Sequence, residues 1–283
     1  MKEVVVIGVG LIGGSMALEI RKHLPYVKIL GIDSNIEHCQ EAIRLGIIDE
    51  SVQLNEIYNA DMVIVAIPVD ATVSILTQVL DYVKDDAIVF DVGSTKEDIC
   101  LKVKKHPKRR NFLATHPIAG TEFSGPSGAI FDLFEGKTNI ICEIEETAFK
   151  LQEHALQLFA NMGMRIRYMN PQAHDKHIAY VSHLSHISSF MLGKTVIEKE
   201  KNERDIFDLA GSGFESTVRL AKSSPEMWAP IFKQNKTNVV ETLNEYIINL
   251  EQFKKLIEND DFEGVFNEMK DTNYIKQILN GIT

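Results

Sequence analysis

Along the first 168 residues, short apolar runs alternate with stretches in which apolar positions recur every three or four residues. The runs are Val4 to Ile7, Val27 to Ile32, Met62 to Ile67, Ala87 to Asp91, Phe112 to Thr115, Asn139 to Cys142 and Arg165 to Tyr168. They are rich in Val and Ile, the pattern of strands covered on both faces. Their alternation with helical stretches predicts a mostly parallel sheet flanked by helices, a Rossmann-type α/β domain over residues 1–169. After Asn170 and Pro171 such runs stop, which predicts an all-α domain over 170–283. One long periodic segment runs from Gln172 to about Lys199 and another from Gln234 to Ile257. Gly211, Gly213 and Pro225 punctuate the helices between them. Long apolar helices in so small a domain need cover, so a homodimer through the helical half is expected.

Composition narrows the partners. With 283 residues, 45% of them apolar, the chain can fill real cores. A formal net charge of −10 argues against nucleic acid or an anionic membrane as partner. An anionic small molecule would need locally placed cations. Cys39, Cys100 and Cys142 lie far apart without a CxxC, which suggests reduced packing residues rather than disulfides or a metal site. Met1 leads straight into an apolar run without a basic leader, and no stretch approaches the roughly 20 apolar residues of a membrane span. A cytoplasmic protein is expected.

The first candidate site is "VVVIGVGLIGGSMALEI", where Gly8, Gly10 and Gly13 form GxGxxG between a buried-type strand and a helix. Gly8 allows the tight turn, Gly10 lets backbone approach a pyrophosphate, and Gly13 lets helix and strand pack closely. The helix start at Leu11 and Ile12 then offers free N–H groups to the phosphates. The next strand, "VKILGID", ends at Asp33, the separation at which a carboxylate meets ribose hydroxyls. It would repel a 2′-phosphate, so NAD is the expected cofactor. The competing reading of Asp33 is a loop acid beside a Ser34, Glu37 capping box. Ala66, Ile67 and Pro68 close the strand "VIVAIPV" and are expected either to wall the cofactor crevice or to be an ordinary strand exit.

Two further strand ends carry chemistry. In "FDVGSTKEDI", Ser94 begins a Ser94, Glu97 capping box, or its hydroxyl serves substrate and base at the cleft, or both. Lys96 could aid an anion or be solvated. In "THPIAGTEFSG", His116 stands at the carboxyl end of the run from Phe112, and Pro117 is expected to end the ladder there. Ala119, Gly120 and Gly125 leave space for a ligand. Hydride removal from a carbon bearing a hydroxyl also requires loss of the hydroxyl proton, and imidazole has a suitable unperturbed pKa near 6.5. His116 is therefore the expected general base.

The blocks "GVGLIGGS", "DVGSTKEDI", "THPIAGTEFSG", "VSHLSH" and "GFESTVRLAKSSPEMW", in this order and spacing, resemble the prephenate dehydrogenase family, which includes arogenate dehydrogenases. The similarity runs over nearly the whole chain. It implies NAD(P)-dependent oxidative decarboxylation of prephenate to 4-hydroxyphenylpyruvate, in tyrosine biosynthesis, by a dimer with a helical C-terminal domain. By the same resemblance the catalytic histidine falls on His116, its supporting serine on Ser94 and a glutamate of the site entrance on Glu122. His183 and His186 would line the substrate site, and Arg219 would hold a substrate carboxylate. Ser185 stands where relatives commonly have proline. At this length no fused mutase or C-terminal regulatory domain is expected.

The residues of the second half support this only in part. His183 and His186 share a helix face, whereas His174 and His177 project almost oppositely on a straight helix, so a structural role is expected for that second pair. Arg219 follows Glu215 by four residues and could form an exposed ion pair. A guanidinium fork also suits a carboxylate, and would give an acidic protein a local cation for a dianionic substrate. Trp228 reads as core or as a pocket wall. Other readings are a two-domain dehydrogenase of the β-hydroxyacid type and a non-catalytic NAD-binding protein.

Overall fold

The computed structural model describes residues 1–121, 123–201, 203 and 205–280. Eight strands form one sheet in the order β3-β2-β1-β4-β5-β6-β7-β8. They are β1 (Glu3–Ile7), β2 (Lys28–Ile32), β3 (Glu50–Ser51), β4 (Met62–Val65), β5 (Ile88–Asp91), β6 (Phe112–Pro117), β7 (Thr138–Cys142) and β8 (Arg165–Met169). Every neighbouring pair is parallel except β6 and β7. The order of the first six strands is the doubly wound one, whose reversal beside β1 opens a crevice at the strands' carboxyl ends. Each expected run is a strand, and only the two-residue edge strand β3, exposed and without an apolar face, lacks a signal in the sequence.

The helices are α1 (Leu11–His23), α2 (Ile36–Arg44), α3 (Val69–Tyr82), α4 (Glu97–Val103), α5 (Phe149–Asn161), α6 (Pro171–Ile178), α7 (Leu184–Glu200), α8 (Ser212–Val218), α9 (Pro225–Gln234), α10 (Lys236–Glu258), α11 (Phe262–Thr272) and α12 (Ile275–Asn280). Strand residues alternate between two cores. Val4, Val6, Ile64 and Phe90 pack with Met16 and Ile20 of α1 and Phe159 of α5. Val5, Ile7, Val63 and Val89 pack with Leu76 and Leu80 of α3 and Ile99 of α4. Both faces of β1, β4 and β5 are covered, which is why these strands read as continuous apolar runs.

The described chain has no strand after Met169. By compactness it divides later than the end of the sheet, into a unit from Met1 to Lys236 and one beginning at Thr237. Helices α6 and α9 belong with the sheet because they pack on it through α4 and α3.

At the end of β5 a buried ion pair continues the work of the ladder. The Asp91 carboxylate accepts from the backbone of Gly93 (2.8 Å) and Thr115 (3.3 Å) and from Lys96 Nζ. Lys96 Nζ also donates to the Thr115 carbonyl at 2.7 Å, and the Thr115 hydroxyl donates to the Asp91 carbonyl. Lys96 is 0% exposed, so it is neither solvated nor presented to an anion, contrary to expectation: the loop after β5 folds its ammonium inward. Burial pushes the Asp91 carboxyl up, and Lys96 opposes this. Lys96→Met leaves a buried carboxylate without its cation, which should cost about 3–5 kcal/mol. An unchanged urea midpoint would show that the pair contributes nothing to holding β5 and β6 together.

Candidate active site

The glycine turn between β1 and α1 has the geometry a dinucleotide needs. Gly8 has φ of +93°, and a Cβ there would stand 2.3 Å from the Ala66 carbonyl oxygen. A Cβ on Gly13 would lie 2.0 Å from the Gly8 carbonyl oxygen, so helix and strand touch through backbone. Gly10 differs, since a Cβ there would meet nothing nearer than the Gly125 nitrogen at 4.0 Å. It caps α1 without any side-chain acceptor, leaving the first-turn N–H groups, including those of Leu11 and Ile12, available to a phosphate.

Asp33, just past the end of β2, accepts from the Val9 N–H at 3.2 Å and the Asn35 N–H at 2.9 Å, with His38 Nδ1 at 3.3 Å. It is thus fastened to the glycine turn. The competing Ser34 cap does not form: Asn35 caps α2, accepting from the Glu37 N–H at 2.9 Å, because α2 starts one residue later than the pattern implies. β4 stops at Val65, so Ala66 and Ile67 are half-buried turn residues, and the exposed Pro68 caps α3. These residues fit a dinucleotide.

His116 lies inside β6 rather than beyond it. Pairing with β5 ends at Asp91 and Ala114, whereas pairing with β7 continues through His116 with Ile140 and Pro117 with Asn139. Pro117 does not end that ladder, contrary to expectation. Like that of Thr115, its nitrogen faces the β5 side, where no strand remains, while the N–H of Ile118 bonds the Thr138 carbonyl at 2.7 Å. The chain then turns back across α1. The Ile130 N–H donates to Ser15 Oγ (3.0 Å) and the Asp132 N–H to Glu19 Oε1 (2.7 Å). Gly120 and Gly125 have no neighbour within 4 Å of an added Cβ, which agrees with open space beside the loop.

The imidazole of His116 is 8% exposed and does not sit among apolar groups alone. Its Nδ1 lies 2.8 Å from His174 Nε2, and His174 Nδ1 lies 2.7 Å from Asp175 Oδ1. His116 Nε2 has no partner among the described residues and is not sealed from solvent. Burial first, then His174, Lys96 and His183, holds the His116 pKa well below the ordinary value of 6.5. The ring is neutral at neutral pH.

His174 is buried and hydrogen-bonded, as a structural residue would be, but the straight helix expected to separate its ring from His183 does not form. On an unbroken α-helix the nine positions to His183 turn through about 900°, placing the two rings on opposite faces. The chain instead makes a π-helical turn at Ala179–His183, between α6 and α7. Such a turn takes about one residue more per revolution, and it brings both rings into the same buried region. His174 and His183 are each 1% exposed. No proline is required for this adjustment, and Ser185 bonds the Val181 carbonyl within the helix. His177 is exposed.

Around His183 the donors outnumber the acceptors. Asn235 Nδ2 donates to the Asp175 carbonyl at 2.6 Å and lies 3.2 Å from His183 Nδ1. An amide nitrogen only donates, so His183 carries its proton on Nε2. That nitrogen and Trp228 Nε1 are buried without a partner among the described residues. Burial lowers the His183 pKa to about 4. His186 stacks on Trp228 with centroids 3.6 Å apart, and burial with the nearby Arg219 charge lowers its pKa also. Trp228 is core, packed against Val69 and Ile231, and also stacks on His186.

Arg219 is exposed and has left α8, which ends at Val218; no ion pair with Glu215 forms among the described residues. Ser94 is half-buried and does not cap α4. That helix begins at Glu97, and the carboxylate of Asp175 accepts from the N–H groups of Lys96 (2.7 Å) and Glu97 (3.0 Å). A group from α6 thus does what the local Ser94, Glu97 pattern predicted of Ser94. The Ser94 hydroxyl makes no hydrogen bond among the described residues, which leaves it available to a ligand. Glu122 lies outside the described residues.

Comparison with known proteins gives the family. The family model "Prephenate dehydrogenase, nucleotide-binding domain" matches residues 16–168, and "Prephenate dehydrogenase, dimerization domain" matches residues 170–271. A prephenate dehydrogenase of Bacillus subtilis (strain 168) is 30% identical over 279 residues, 95% of this chain and 74% of the relative. The crystal structure of prephenate dehydrogenase from Aquifex aeolicus, in complex with hydroxyphenyl propionate and NAD+, superposes with a TM-score of 0.90 at 33% identity, covering 99% of this chain and 98% of that one. A Synechocystis arogenate dehydrogenase structure gives 0.78 at 25% identity, covering 98% and 99%. With both family models matched in succession over a doubly wound sheet and the helices that follow it, the protein belongs to the prephenate dehydrogenase family.

Proposed function

We propose that this chain catalyses the NAD-dependent oxidative decarboxylation of prephenate to 4-hydroxyphenylpyruvate, in tyrosine biosynthesis, with His116 as general base. The observation that carries the reading is the unpartnered Nε2 of a neutral imidazole at the rim of β6, in the same unit as the glycine turn. Gly8, Gly10, Leu11, Ile12, Gly13 and Asp33 hold the dinucleotide, with Ala66, Ile67 and Pro68 walling its crevice. The carboxylate of Asp33 favours NAD over NADP. When bound there, a nicotinamide would supply the hydride acceptor for the ring carbon that bears the hydroxyl.

The protein's own groups manage charge and protons. His116 Nε2 takes the hydroxyl proton, assisted by the Ser94 hydroxyl. As the ring carboxylate departs as carbon dioxide, its bonding electrons pass around the ring to the oxygen, which recovers the proton from His116. No net proton is released. Arg219, exposed and free of an intramolecular acid among the described residues, pairs with a substrate carboxylate. His183 and His186 line the pocket, and Glu122 stands at its entrance.

Prephenate is favoured over arogenate by the donor surplus. His183 Nε2 and Trp228 Nε1 are buried donors that need acceptors, which a keto acid supplies and an ammonium group does not. A homodimer through the helical half belongs to the same proposal. It is supported by the exposed Phe262, Phe266, Met269, Ile275 and Ile278 in the unit beginning at Thr237. A cytoplasmic setting is proposed with it; among the described residues no helix is long and apolar enough to cross a membrane.

Crossing prephenate and arogenate with NAD and NADP while following nicotinamide absorbance tests this directly. Prephenate with NAD should exceed each other combination by about tenfold or more in kcat/KM, the equivalent of about 1.4 kcal/mol. Turnover of arogenate alone would overturn the substrate assignment. His116→Asn should lower kcat by about 10² to 10⁴ with little change in NAD affinity. In the unaltered protein kcat/KM should be level at neutral pH and fall only below the ordinary histidine value of 6.5, because protonation of His116 is opposed by burial. A fall centred above that value would assign the limb to another group.

A further inference from the structure

A buried imidazole that resists protonation is a weak proton acceptor unless the charge it gains is met by its surroundings. The only hydrogen bond made by the His116 ring among the described residues is to His174, which in turn meets Asp175. We propose that His174 and Asp175 are positioning residues for His116: they fix its tautomer and share the positive charge it acquires. The proposal rests on His116 being the base.

Donor and acceptor accounting sets the protons. The Asp175 carboxylate already accepts two backbone N–H groups, from Lys96 at 2.7 Å and Glu97 at 3.0 Å, and a carboxylate has no proton to give. The contact at 2.7 Å to His174 Nδ1 therefore requires the proton on that nitrogen. A neutral His174 then has a bare Nε2, which can only accept. The 2.8 Å contact to His116 Nδ1 requires a proton there in turn, and leaves His116 Nε2 bare. That is the tautomer a general base must have.

The same chain receives the charge. When Nε2 of His116 takes a substrate proton, its Nδ1 proton can pass to His174 Nε2, and His174 keeps its own Nδ1 proton on Asp175. One proton enters at one end and the positive charge settles beside the carboxylate. The proton returns along the same path when the product oxygen reclaims it. No oxidation or bond to carbon is involved in these transfers.

The fold holds this line rigidly. Asn170 caps α6, accepting from the N–H groups of Gln172 and Ala173, and Pro171 opens the helix, so His174 and Asp175 stand in its first turns. Asn235 grips the Asp175 carbonyl at 2.6 Å. The charged or titratable groups facing His116 are His174 from α6, His183 from the π turn and Lys96 from the loop before α4. Lys96 is spent on Asp91, so Asp175 is the nearest anion with a connected route to the ring.

Two variants and one spectrum test the proposal. Nitrogen-15 histidine spectra of the wild-type protein should show His116 protonated on Nδ1 and bare on Nε2. His174→Phe should lower kcat about 10²-fold or more, leave KM for substrate and NAD within about threefold, and displace the acidic limb of the pH profile. His174→Gln can accept from His116 and donate to Asp175, so it should keep the tautomer and recover most of kcat, a rescue that a packing role does not predict. It also serves if the Phe variant fails to fold. A wild-type His116 protonated on Nε2, or a folded His174→Phe with unchanged kcat and pH profile, overturns the proposal. If the wild type shows the expected tautomer but turns over no cyclohexadienol, the relay stands and the reading of the reaction fails.

Discussion

Both oxygens of the Asp175 carboxylate are engaged, one by the Lys96 N–H and the His174 imidazole, the other by the Glu97 N–H. Through them a helix that follows the sheet caps a helix that belongs to it. The consequence reaches three residues at once. α4 begins at Glu97 without a local cap, Ser94 is released from capping, and the His174 ring is held at the distance that meets His116. Charge-assisted bonds of this kind are among the stronger ones available to a buried side chain.

The sheet edge supplies the complementary constraint. β5 stops at Asp91 while β6 continues for three residues with only β7 beside it, and His116 stands in that one-sided extension. Had β5 continued, its side chains would have covered the ring. Instead the Asp91 carboxylate and the Lys96 ammonium fill the gap in the ladder, and the His116 ring retains a nitrogen that is not sealed from solvent. The chain after His116 returns over α1, where Ser15 and Glu19 fasten the backbone of Ile130 and Asp132 to the helix that opens at the glycine turn. The glycine turn and His116 lie in one compact unit.

Features decided by neighbours in sequence are readable from it. Val4 to Ile7 reads as a strand because both its faces meet helices, and the tight turn at Gly8 and the close helix–strand packing at Gly13 are as their glycines imply. The position of His116 near the end of β6 is readable from the run Phe112 to Thr115. What escapes is decided across the fold. The Ser94, Glu97 pattern is a sound local cap and loses to a carboxylate 78 residues away from Glu97. The placement of His174 relative to His183 escapes because an ideal helical wheel has no π turn, and nothing in Ala179 to His183 announces one. Lys96 reads as solvent-facing because lysine usually is, and only the folded loop shows the buried partner at Asp91.

The central claim is that the bare nitrogen of His116 receives the substrate's hydroxyl proton beside the dinucleotide. A crystal structure with NAD and an unreactive analogue that keeps the ring hydroxyl measures this most directly. The account predicts His116 Nε2 within about 2.6–3.2 Å of that oxygen, with Nδ1 still on His174. An analogue seated with its hydroxyl farther from the ring than one bridging water can span, or bonded instead to another acid or base, would contradict it.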